Sequence, residues 1–202
     1  MKLILVSQSP RRKDLLVEMG YHFHTHSVQV SEFIDENLNL ERALMNVARQ
    51  KAQAFLNTCN YLELHKFIVL SADTTVIFRG EILGKPKDEA EAHEFLSKLS
   101  GNKHEVRTSV CFYHGQKKQF VEGIDCTKIY FKTLSKEQIR EYVSSGDPFD
   151  KAGGYGIQNV QSQFVEKIEG SYSNVVGLPM ELIERIFKNY GWKIDKRKSK
   201  NN

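Results

Sequence analysis

The sequence of 202 residues predicts an α/β domain with a mixed, twisted sheet and flanking helices. Two observations lead to this prediction. Short, continuously apolar runs such as Leu3–Val6 and Phe67–Leu70 are typical of strands buried on both faces, and helical patterns lie between them. Further along, strand patterns are joined by short turns such as Arg79-Gly80, which is typical of antiparallel hairpins. Crossovers and hairpins in one chain predict a mixed sheet.

The predicted helices begin at residues that suit helix N-termini. Serine, asparagine and aspartate side chains accept hydrogen bonds from the N–H groups of the first turn, and proline fits the first helical position. The predicted opening residues are Ser9 with Pro10, Asn39, Asp88, Ser135 with Gln138 as a capping box, and Pro179. Further strands are predicted over residues 21–30, 75–78, 81–83, 105–113 and 119–131 and near residues 164–166.

One domain is predicted over residues 1–192, followed by a basic and disordered tail over residues 193–202. The tail has five basic residues and one acidic residue, so it accounts for the whole net charge of +4. The remaining neutral chain has no basic field for a nucleic-acid backbone, and we expect no specific nucleic-acid partner. No apolar stretch is long enough to span a membrane, and the N-terminal apolar run is too short for a signal peptide. We therefore expect a cytoplasmic protein without a membrane partner.

Histidine and cysteine do not predict a metal centre. His22, His24 and His26 alternate along a predicted strand, so they share one face and could bind zinc. A solvated strand face is the favoured interpretation, because no acidic or cysteine ligand accompanies them. Three cysteines are scattered without a CxxC pair, which predicts neither a disulfide framework nor a structural zinc site.

The segment Ser7–Arg12 has the composition of an anion-binding site. It lies between a predicted strand and a helix N-terminus, where free N–H groups and the helix dipole attract negative charge. The same dipole opposes Arg11 and Arg12 in the first helical turn, and phosphate recognition by their guanidinium groups would compensate for this. A capped helix with solvated arginines is the alternative, and this segment alone does not decide between the two.

A lysine lies on the apolar face of the second predicted helix. Lys51 follows Leu44 and Ala48 at helical spacing, and an ammonium group on such a face is costly unless it is paired. Either the side chain extends along the edge of the core to solvent, or its amine points into an anionic cleft.

Asp73 directly follows the apolar run that ends at Ala72, and we place it at the carboxyl end of a strand, where ligands of α/β sheets bind. A carboxylate there can hold a divalent cation or orient a water molecule, although a turn aspartate is the alternative. Glu32 is a candidate second metal ligand, with Asp35 and Glu36 as rivals and an exposed acid as the alternative.

Two glycine-containing loops add further candidates. Lys85 lies in Gly84-Lys85-Pro86, where glycine allows close approach and proline stiffens the exit. The stretch Asp150–Gln158 is predicted to be a flexible ligand loop, in which Tyr155 could pack on a ligand ring and Gln158 could bond a base edge. A tight structural turn is the competing interpretation.

Five groups of motifs together resemble the Maf family of nucleoside triphosphate pyrophosphatases. They are Ser7-Gln-Ser9-Pro-Arg11-Arg12, Ala48-Arg-Gln-Lys51-Ala52, Ser71-Ala-Asp73-Thr74 with Gly84-Lys85-Pro86, Lys151-Ala-Gly-Gly-Tyr-Gly-Ile-Gln158, and Gly170-Ser-Tyr-Ser-Asn-Val-Val-Gly-Leu-Pro179. Each is modest alone, but they occur in family order over residues 3–180. Gln8 and Asn159 depart from the pattern, where the family usually has a small residue and a glycine.

The resemblance implies a fold, a set of roles and a partner. The fold would be elongated and two-lobed with a central cleft, related to the inosine triphosphatases, and the protein would often form a homodimer. The implied roles are catalysis by Asp73, phosphate binding by Ser9, Arg11, Arg12, Lys51 and Lys85, substrate choice by Arg11, Thr74 and Gln158, and Mg²⁺ or Mn²⁺ binding by Asp73 and Glu32.

The glycine-rich stretch and the segment Gly170–Asn174 resemble the dTTP/UTP branch of this family rather than the branch acting on 7-methylguanosine triphosphate. The expected activity is hydrolysis of dTTP and UTP, or of modified pyrimidine nucleotides, to a monophosphate and pyrophosphate. The alternative is a nucleotide-binding regulator of septation or cell division without turnover. Single-stranded nucleic-acid binding is a third interpretation, which the neutral domain disfavours.

Overall fold

The computed structural model describes residues 1–30, 34–35, 37–59 and 61–196, without the side chains of residues 61–63 and 161. The strands are β1 (Lys2–Val6), β2 (Phe23–His26), β3 (Phe67–Phe78), β4 (Glu81–Leu83), β5 (Lys103–His114), β6 (Gln119–Phe131) and β7 (Val165–Glu169). The α-helices are α1 (Pro10–Glu18), α2 (Leu40–Asn57), α3 (Glu89–Leu99), α4 (Lys136–Ser144), α5 (Ile157–Phe164), α6 (Tyr172–Val176) and α7 (Met180–Asn189).

In the described residues, seven strands form one mixed sheet, as the sequence predicts. The strand order is β2-β1-β3-β5-β6-β7, and β4 pairs with β3. β1 is parallel to β2 and to β3, whereas the pairs β3–β4 and β6–β7 are antiparallel. No helix in this described part of the chain is both long enough and apolar enough to cross a membrane.

The chain divides into two compact units. The first consists of Met1–Asp73, Ser109–Ile124 and the chain from Gly177 onward, and the second consists of Thr74–Thr108 and Asp125–Val176. Strands β3, β5 and β6 each contain residues of both units. The prediction of a single domain over residues 1–192 stays a prediction.

The core of the first unit explains the continuous apolar run of β1. Successive strand residues point to opposite faces of a sheet. Leu3 and Leu5 accordingly pack in a cluster with residues of α1 and α7, while Ile4 and Val6 pack in a second cluster with residues of α2. Because helices cover both faces, every position from Leu3 to Val6 is buried and apolar.

The caps of three helices are confirmed. Asn39 accepts a hydrogen bond from the N–H of Arg42, and Asp88 accepts one from the N–H of Glu91. At α4 the capping box predicted from Ser135 is complete. Ser9 occupies the N-cap position of α1, but its side chain makes no capping hydrogen bond.

The third strand is longer than predicted, and this changes the position of Asp73. β3 continues from Phe67 to Phe78, so Asp73 lies within the strand and the prediction that the strand ends at Ala72 is wrong. Its pairing with β1 ends where Val6 faces Ser71, and its pairing with β4 begins at Val76. Asp73 therefore lies just beyond the parallel pairing with β1, although it does not end a strand.

The region after Asp150 is more regular than predicted. A short 3-10 helix covers Ala152–Gly154, and helix α5 follows directly from Ile157, so Gln158 lies on a helix rather than in a flexible loop. Helix α6 was not predicted either. The expected strand over residues 21–30 is confined to Phe23–His26.

Residues 193–196 are the first part of the predicted tail. In the structure they belong to the first unit and are hydrogen-bonded to the N-terminal residue. The terminal amine of Met1 donates to the carbonyl of Lys193 over 2.6 Å, and the N–H of Asp195 donates to the carbonyl of Met1 over 3.0 Å. Lys196 forms a β-bridge with Tyr21. Residues 197–202, the rest of the predicted tail, lie outside the described residues.

The core of the second unit contains Tyr155, for which packing on a ligand ring is one of the two interpretations from the sequence. Its ring is 5% exposed and packs against Phe131, and its hydroxyl lies 2.6 Å from Nε2 of His104. The ring of Tyr155 is thus enclosed by side chains of the protein itself. Burial also lowers the pKa of His104 to about 3, because the charged imidazolium would lose its hydration.

We predict that His104 makes the folded protein sensitive to mild acid. The unfolded imidazole takes up a proton near its ordinary pKa of about 6.5, and the folded one does so only near 3. The unfolded chain thus binds more protons between these values, and stability falls as the pH is lowered through them. At pH 5 the loss from this group is about 2 kcal/mol.

Chemical denaturation of wild type and of His104→Phe at pH 7 and pH 5 checks this. The variant should lose about 2 kcal/mol less than wild type between the two pH values. His22→Gln, which removes an exposed imidazole, controls for the loss of a histidine as such. An equal loss in wild type and His104→Phe would show that His104 does not carry the effect.

Candidate functional site

Helix α2 and strand β3 bring together two residues that the sequence singled out. The Nζ atom of Lys51 lies 2.6 Å from Oδ1 of Asp73, and both side chains are 15% exposed. Of the two interpretations of Lys51, the structure therefore excludes a side chain that runs to solvent without a partner. The amine points at an acidic group.

The pairing explains how an ammonium can lie on the apolar face of α2. Two charges removed from most of their water are tolerated when each offsets the other and hydrogen bonds satisfy them. The neighbouring positions Ala48 and Ala52 are fully buried and small, so the helix lies close to the sheet. A long lysine side chain can then reach the strand and still end at the edge of the core.

The segment between β1 and α1 is held by its own side chains. The N–H of Ser9 donates to Oγ of Ser7 over 3.1 Å. Arg12 donates through Nε to the carbonyl of Gly177 over 2.7 Å and through Nη1 to Oγ of Ser7 over 3.3 Å. Arg12 thus fastens the segment to the residue that follows α6, which the sequence did not predict. Its predicted contact with phosphate, like that of Arg11, stays a prediction.

In the second unit, Thr74 belongs to a hydrogen-bonded row whose direction can be assigned. The hydroxyls of Thr74 and Thr108 lie 3.0 Å apart, and Thr108 donates to the carbonyl of Asn174 over 2.8 Å. A threonine hydroxyl has one proton, and a carbonyl oxygen can only accept. Thr108 therefore accepts from Thr74, and the proton of the Thr74 hydroxyl is already engaged.

Buried Asn174 fixes the far end of this row. Its Nδ2 group donates to the carbonyl of Val106 over 2.9 Å and to Oγ1 of Thr127 over 3.0 Å. From the sequence, Thr108 has no predicted role, and Asn174 enters only as part of a family motif. The motif was the only sequence signal for Asn174. For Thr108 there was none, because the pattern of β5 does not distinguish a threonine that donates to a carbonyl from one that only packs.

The loop that carries Lys85 is braced by the glycine-rich stretch. The N–H of Gly153 donates to the carbonyl of Gly84 over 2.9 Å. Gly153 has φ of +70°, and a Cβ atom there would approach the methyl groups of Val76 to 2.9 Å. Only glycine fits this turn without strain. Lys85 itself is exposed, so the loop presents it to solvent.

Gln158 lies on an exposed part of α5. It borders an open groove of about 680 Å³, together with residues of β7 and with Lys132. The groove contains none of the other predicted site residues, and its lining belongs to the second unit. The role of Gln158 in substrate choice stays a prediction.

Asn159, the departure from the family pattern, has a structural partner. Its Nδ2 group donates to Oδ1 of Asp147 over 2.8 Å, and Lys151 reaches the same oxygen over 3.0 Å. Although burial opposes it, hydrogen bonds from Tyr142 and Lys151 hold the pKa of Asp147 below its usual range. The exit of the glycine-rich stretch is thus fixed by a side chain that glycine could not supply.

Glu32, the second predicted metal ligand, and its rival Glu36 lie outside the described residues. Within the described part of the chain, no group of three or more histidine, cysteine, aspartate or glutamate side chains could hold a metal ion. His24 and His26 lie on β2, exposed and in contact with Phe67 and Phe55.

One family model and several relatives match most of the chain. A family model described as "Maf-like protein" matches residues 2–190. The chain is 44% identical over 188 residues to the dTTP/UTP pyrophosphatase of Bdellovibrio bacteriovorus, covering 93% of this chain and 98% of that one. It is 40% identical to the dTTP/UTP pyrophosphatase of Caldicellulosiruptor bescii, covering 96% and 98%. Among solved structures, a HAM1 protein from Coxiella burnetii is similar with a TM-score of 0.48, at 10% identity over 96% of this chain and 100% of that one.

The ion pair leads to a prediction about stability. Asp73→Asn or Lys51→Met alone should lower the free energy of unfolding by about 1–3 kcal/mol, because each leaves a mostly buried charge without its partner. The double variant should be less destabilised than the sum of the two, since no uncompensated charge remains. Urea denaturation of the four proteins measures this, and simple additivity would mean that the two groups are not coupled.

Proposed function

We propose, from the fact that the chain belongs to the Maf-like protein family, that it is a nucleoside triphosphate pyrophosphatase acting on dTTP and UTP. It hydrolyses them to the nucleoside monophosphate and pyrophosphate. The observation that supports this most directly is the pair formed by Lys51 and Asp73, which places a cation and a carboxylate side by side at the edge of the core. The names of relatives that align with nearly the whole chain support the substrates.

Cationic side chains would bind the triphosphate. The proposed phosphate ligands are Ser9, Arg11, Arg12, Lys51 and Lys85. Arginine forks match phosphate oxygens in pairs, while each lysine acts as a point charge. Phosphoryl transfer places developing negative charge on the oxygens of the departing pyrophosphate, so cations positioned beforehand lower the barrier.

Asp73 would act on the water molecule. Its carboxylate orients a water, or takes a proton from it, and the water oxygen attacks the α-phosphorus. The bond from the α-phosphorus to the bridging oxygen breaks, and pyrophosphate leaves with the bond's electrons. In the protein without substrate, Lys51 occupies Oδ1 of Asp73. A bound phosphate competes for the same ammonium, and any turn of Lys51 toward it releases that oxygen for the water.

The proposal includes Mg²⁺ or Mn²⁺. Such ions take oxygen ligands and usually keep only one or two protein carboxylates beside substrate phosphates and water. Asp73 offers carboxylate oxygens of this kind, and it would hold the ion with Glu32. The ion would neutralise phosphate charge when bound. Asp73 would then have two roles, because it would orient the water and also help to hold the ion. The ion would reduce the repulsion between the carboxylate and the phosphates.

Thr74, Gln158 and Arg11 are the proposed specificity residues. Because the proton of the Thr74 hydroxyl is engaged by Thr108, Thr74 can only accept a hydrogen bond from a ligand. Uracil and thymine carry an N–H donor between two carbonyl groups, whereas cytosine has an acceptor at the same ring position. A fixed acceptor therefore favours uracil and thymine, and the amide of Gln158 can meet a carbonyl.

Two further parts of the proposal concern the cell. A homodimer is proposed from the resemblance alone. A cytoplasmic location is supported by cysteine usage, since Cys59, Cys111 and Cys126 are all free thiols.

The role of Asp73 predicts a separation between folding and turnover. Asp73→Asn should lower kcat for dTTP at least about a hundredfold, the usual minimum contribution of a general base. Circular dichroism should show a folded protein. Asp35→Asn, which removes a rival acid, is the matched control and should keep near-normal turnover. A folded Asp73→Asn protein with near-normal kcat would exclude the proposed role.

Dependence on a divalent cation is the second prediction for this site. Chelation by EDTA should abolish release of pyrophosphate from dTTP, because the carboxylate and phosphate charges would repel without an ion between them. Added Mg²⁺ or Mn²⁺ should restore the rate. Undiminished hydrolysis in EDTA would rule out the metal while leaving the activity itself in place.

Base preference is the third prediction. The ratio kcat/KM should be about tenfold to a hundredfold higher for dTTP and UTP than for CTP. With CTP, the acceptor oxygen of Thr74 would face an acceptor nitrogen of the base, and the hydrogen bond would be lost. GTP and 7-methyl-GTP should also be poorer substrates. If CTP or 7-methyl-GTP exceeds both dTTP and UTP under one set of conditions, the branch assignment is wrong.

A further inference from the structure

We propose that Ser71 and Ser109 are positioning residues that set the location of Lys51 relative to Asp73. The inference rests on the proposed pyrophosphatase function, because its consequence is a change in turnover. Neither serine is proposed to touch the substrate. Both act through helix α2, which carries Lys51.

The two serines hold adjacent turns of the same helix. Oγ of Ser71 donates to the carbonyl of Ala48 over 2.6 Å. Oγ of Ser109 donates to the carbonyl of Leu44 over 2.9 Å. Leu44 and Ala48 are four residues apart, so the two carbonyls lie one turn apart along α2. Two attachment points of this kind restrict both sliding and tilting of the helix on the sheet.

Burial makes these contacts obligatory. Ser71 is 0% exposed and Ser109 is 1% exposed, so water cannot replace the helix carbonyls as their partners. A buried hydroxyl without an acceptor is unfavourable, and the alternatives within the strands are longer. Ser71 also lies 3.4 Å from the carbonyl of Cys111, and Ser109 lies 3.5 Å from the carbonyl of Asp73.

The attachment points lie next to the ion pair in both elements. Ser71 and Asp73 are two residues apart in β3, so they project from the same face of the sheet. Ala48 and Lys51 are three residues apart in α2, which places them on neighbouring positions of one helix face. The hydrogen bond from Ser71 and the ion pair are therefore consecutive links between the same helix and the same strand.

A purely apolar contact would fix this geometry less well. Dispersion and hydrophobic contact depend weakly on a small shift of α2, whereas a hydrogen bond of 2.6 Å weakens steeply with distance and angle. A displacement of about 1 Å in a catalytic group can lower a rate about a hundredfold. The hydrogen bonds from these two serines thus fix the position of α2 on the sheet more closely than apolar contact alone would.

The test is steady-state hydrolysis of dTTP by Ser71→Ala and Ser109→Ala. Each variant should lower kcat about fivefold to tenfold and leave KM within about twofold, because the lost precision affects the transition state more than ground-state binding. The helix carbonyls keep their own backbone hydrogen bonds, so both variants are expected to fold. If one of the two variants does not fold, the other still tests the proposal.

Val69→Ala is the matched control. Val69 lies two residues before Ser71, on the same face of β3, and packs in a cluster with Phe55 of α2. This variant removes apolar contact between the strand and the helix without removing a hydrogen bond. It should lower the melting temperature at least as much as Ser71→Ala does, while kcat stays within about twofold of wild type. An equal loss of kcat in all three variants would mean that the serines contribute only to stability and do not position Lys51.

The decisive comparison uses a Lys51→Met background. If the serines act through Lys51, adding Ser71→Ala to Lys51→Met leaves kcat unchanged within about twofold, whereas independent effects would multiply. Multiplicative loss overturns the inference. Absence of pyrophosphate release by wild type would instead overturn the proposed function, so the two failures are distinguishable.

Discussion

The ion pair between Lys51 and Asp73 constrains how helix α2 packs on strand β3. A lysine and an aspartate that are each 15% exposed can coexist only if α2 lies close to β3. Close approach in turn requires small residues at the contact, which Ala48 and Ala52 supply. The same closeness lets strand hydroxyls reach helix carbonyls. The short distance between α2 and β3 thus underlies three features. These are the packing of small residues, the hydrogen bonds from strand hydroxyls to helix carbonyls, and the chemistry proposed for Asp73.

Lys51 and Asp73 could be found from the sequence because both break a local pattern. A charge on an apolar helix face and an acid at the end of an apolar run conflict with simple core packing, and such conflicts concentrate at functional sites. The continuation of β3 to Phe78 could not be found in this way. Polar residues after Ala72 interrupt the apolar run, but strand pairing uses backbone groups and does not require apolar side chains.

Apart from the place of Ser71 in a family motif, the sequence does not indicate what the supporting hydroxyl residues bind. Ser71, Ser109 and Thr108 lie inside strands, where a small hydroxyl residue is compatible with burial, with exposure or with a hydrogen bond. Only the tertiary structure shows which carbonyl each one reaches. Helix α5 was missed for a related reason. The glycines before it indicate a turn, whereas the helix depends on packing of Val160 and Phe164, which are buried in the second unit.

In the proposed reaction, the α-phosphate of the substrate lies beside Lys51 and Asp73. A crystal structure with the α,β-imido analogue of dTTP, which resists hydrolysis at the bond in question, tests this most directly. We expect a non-bridging oxygen of the α-phosphate within hydrogen-bonding distance of Lys51 Nζ, with Asp73 facing the α-phosphorus through a water molecule or an ion. An analogue whose triphosphate is bound elsewhere, with the pair between Lys51 and Asp73 intact, would contradict it.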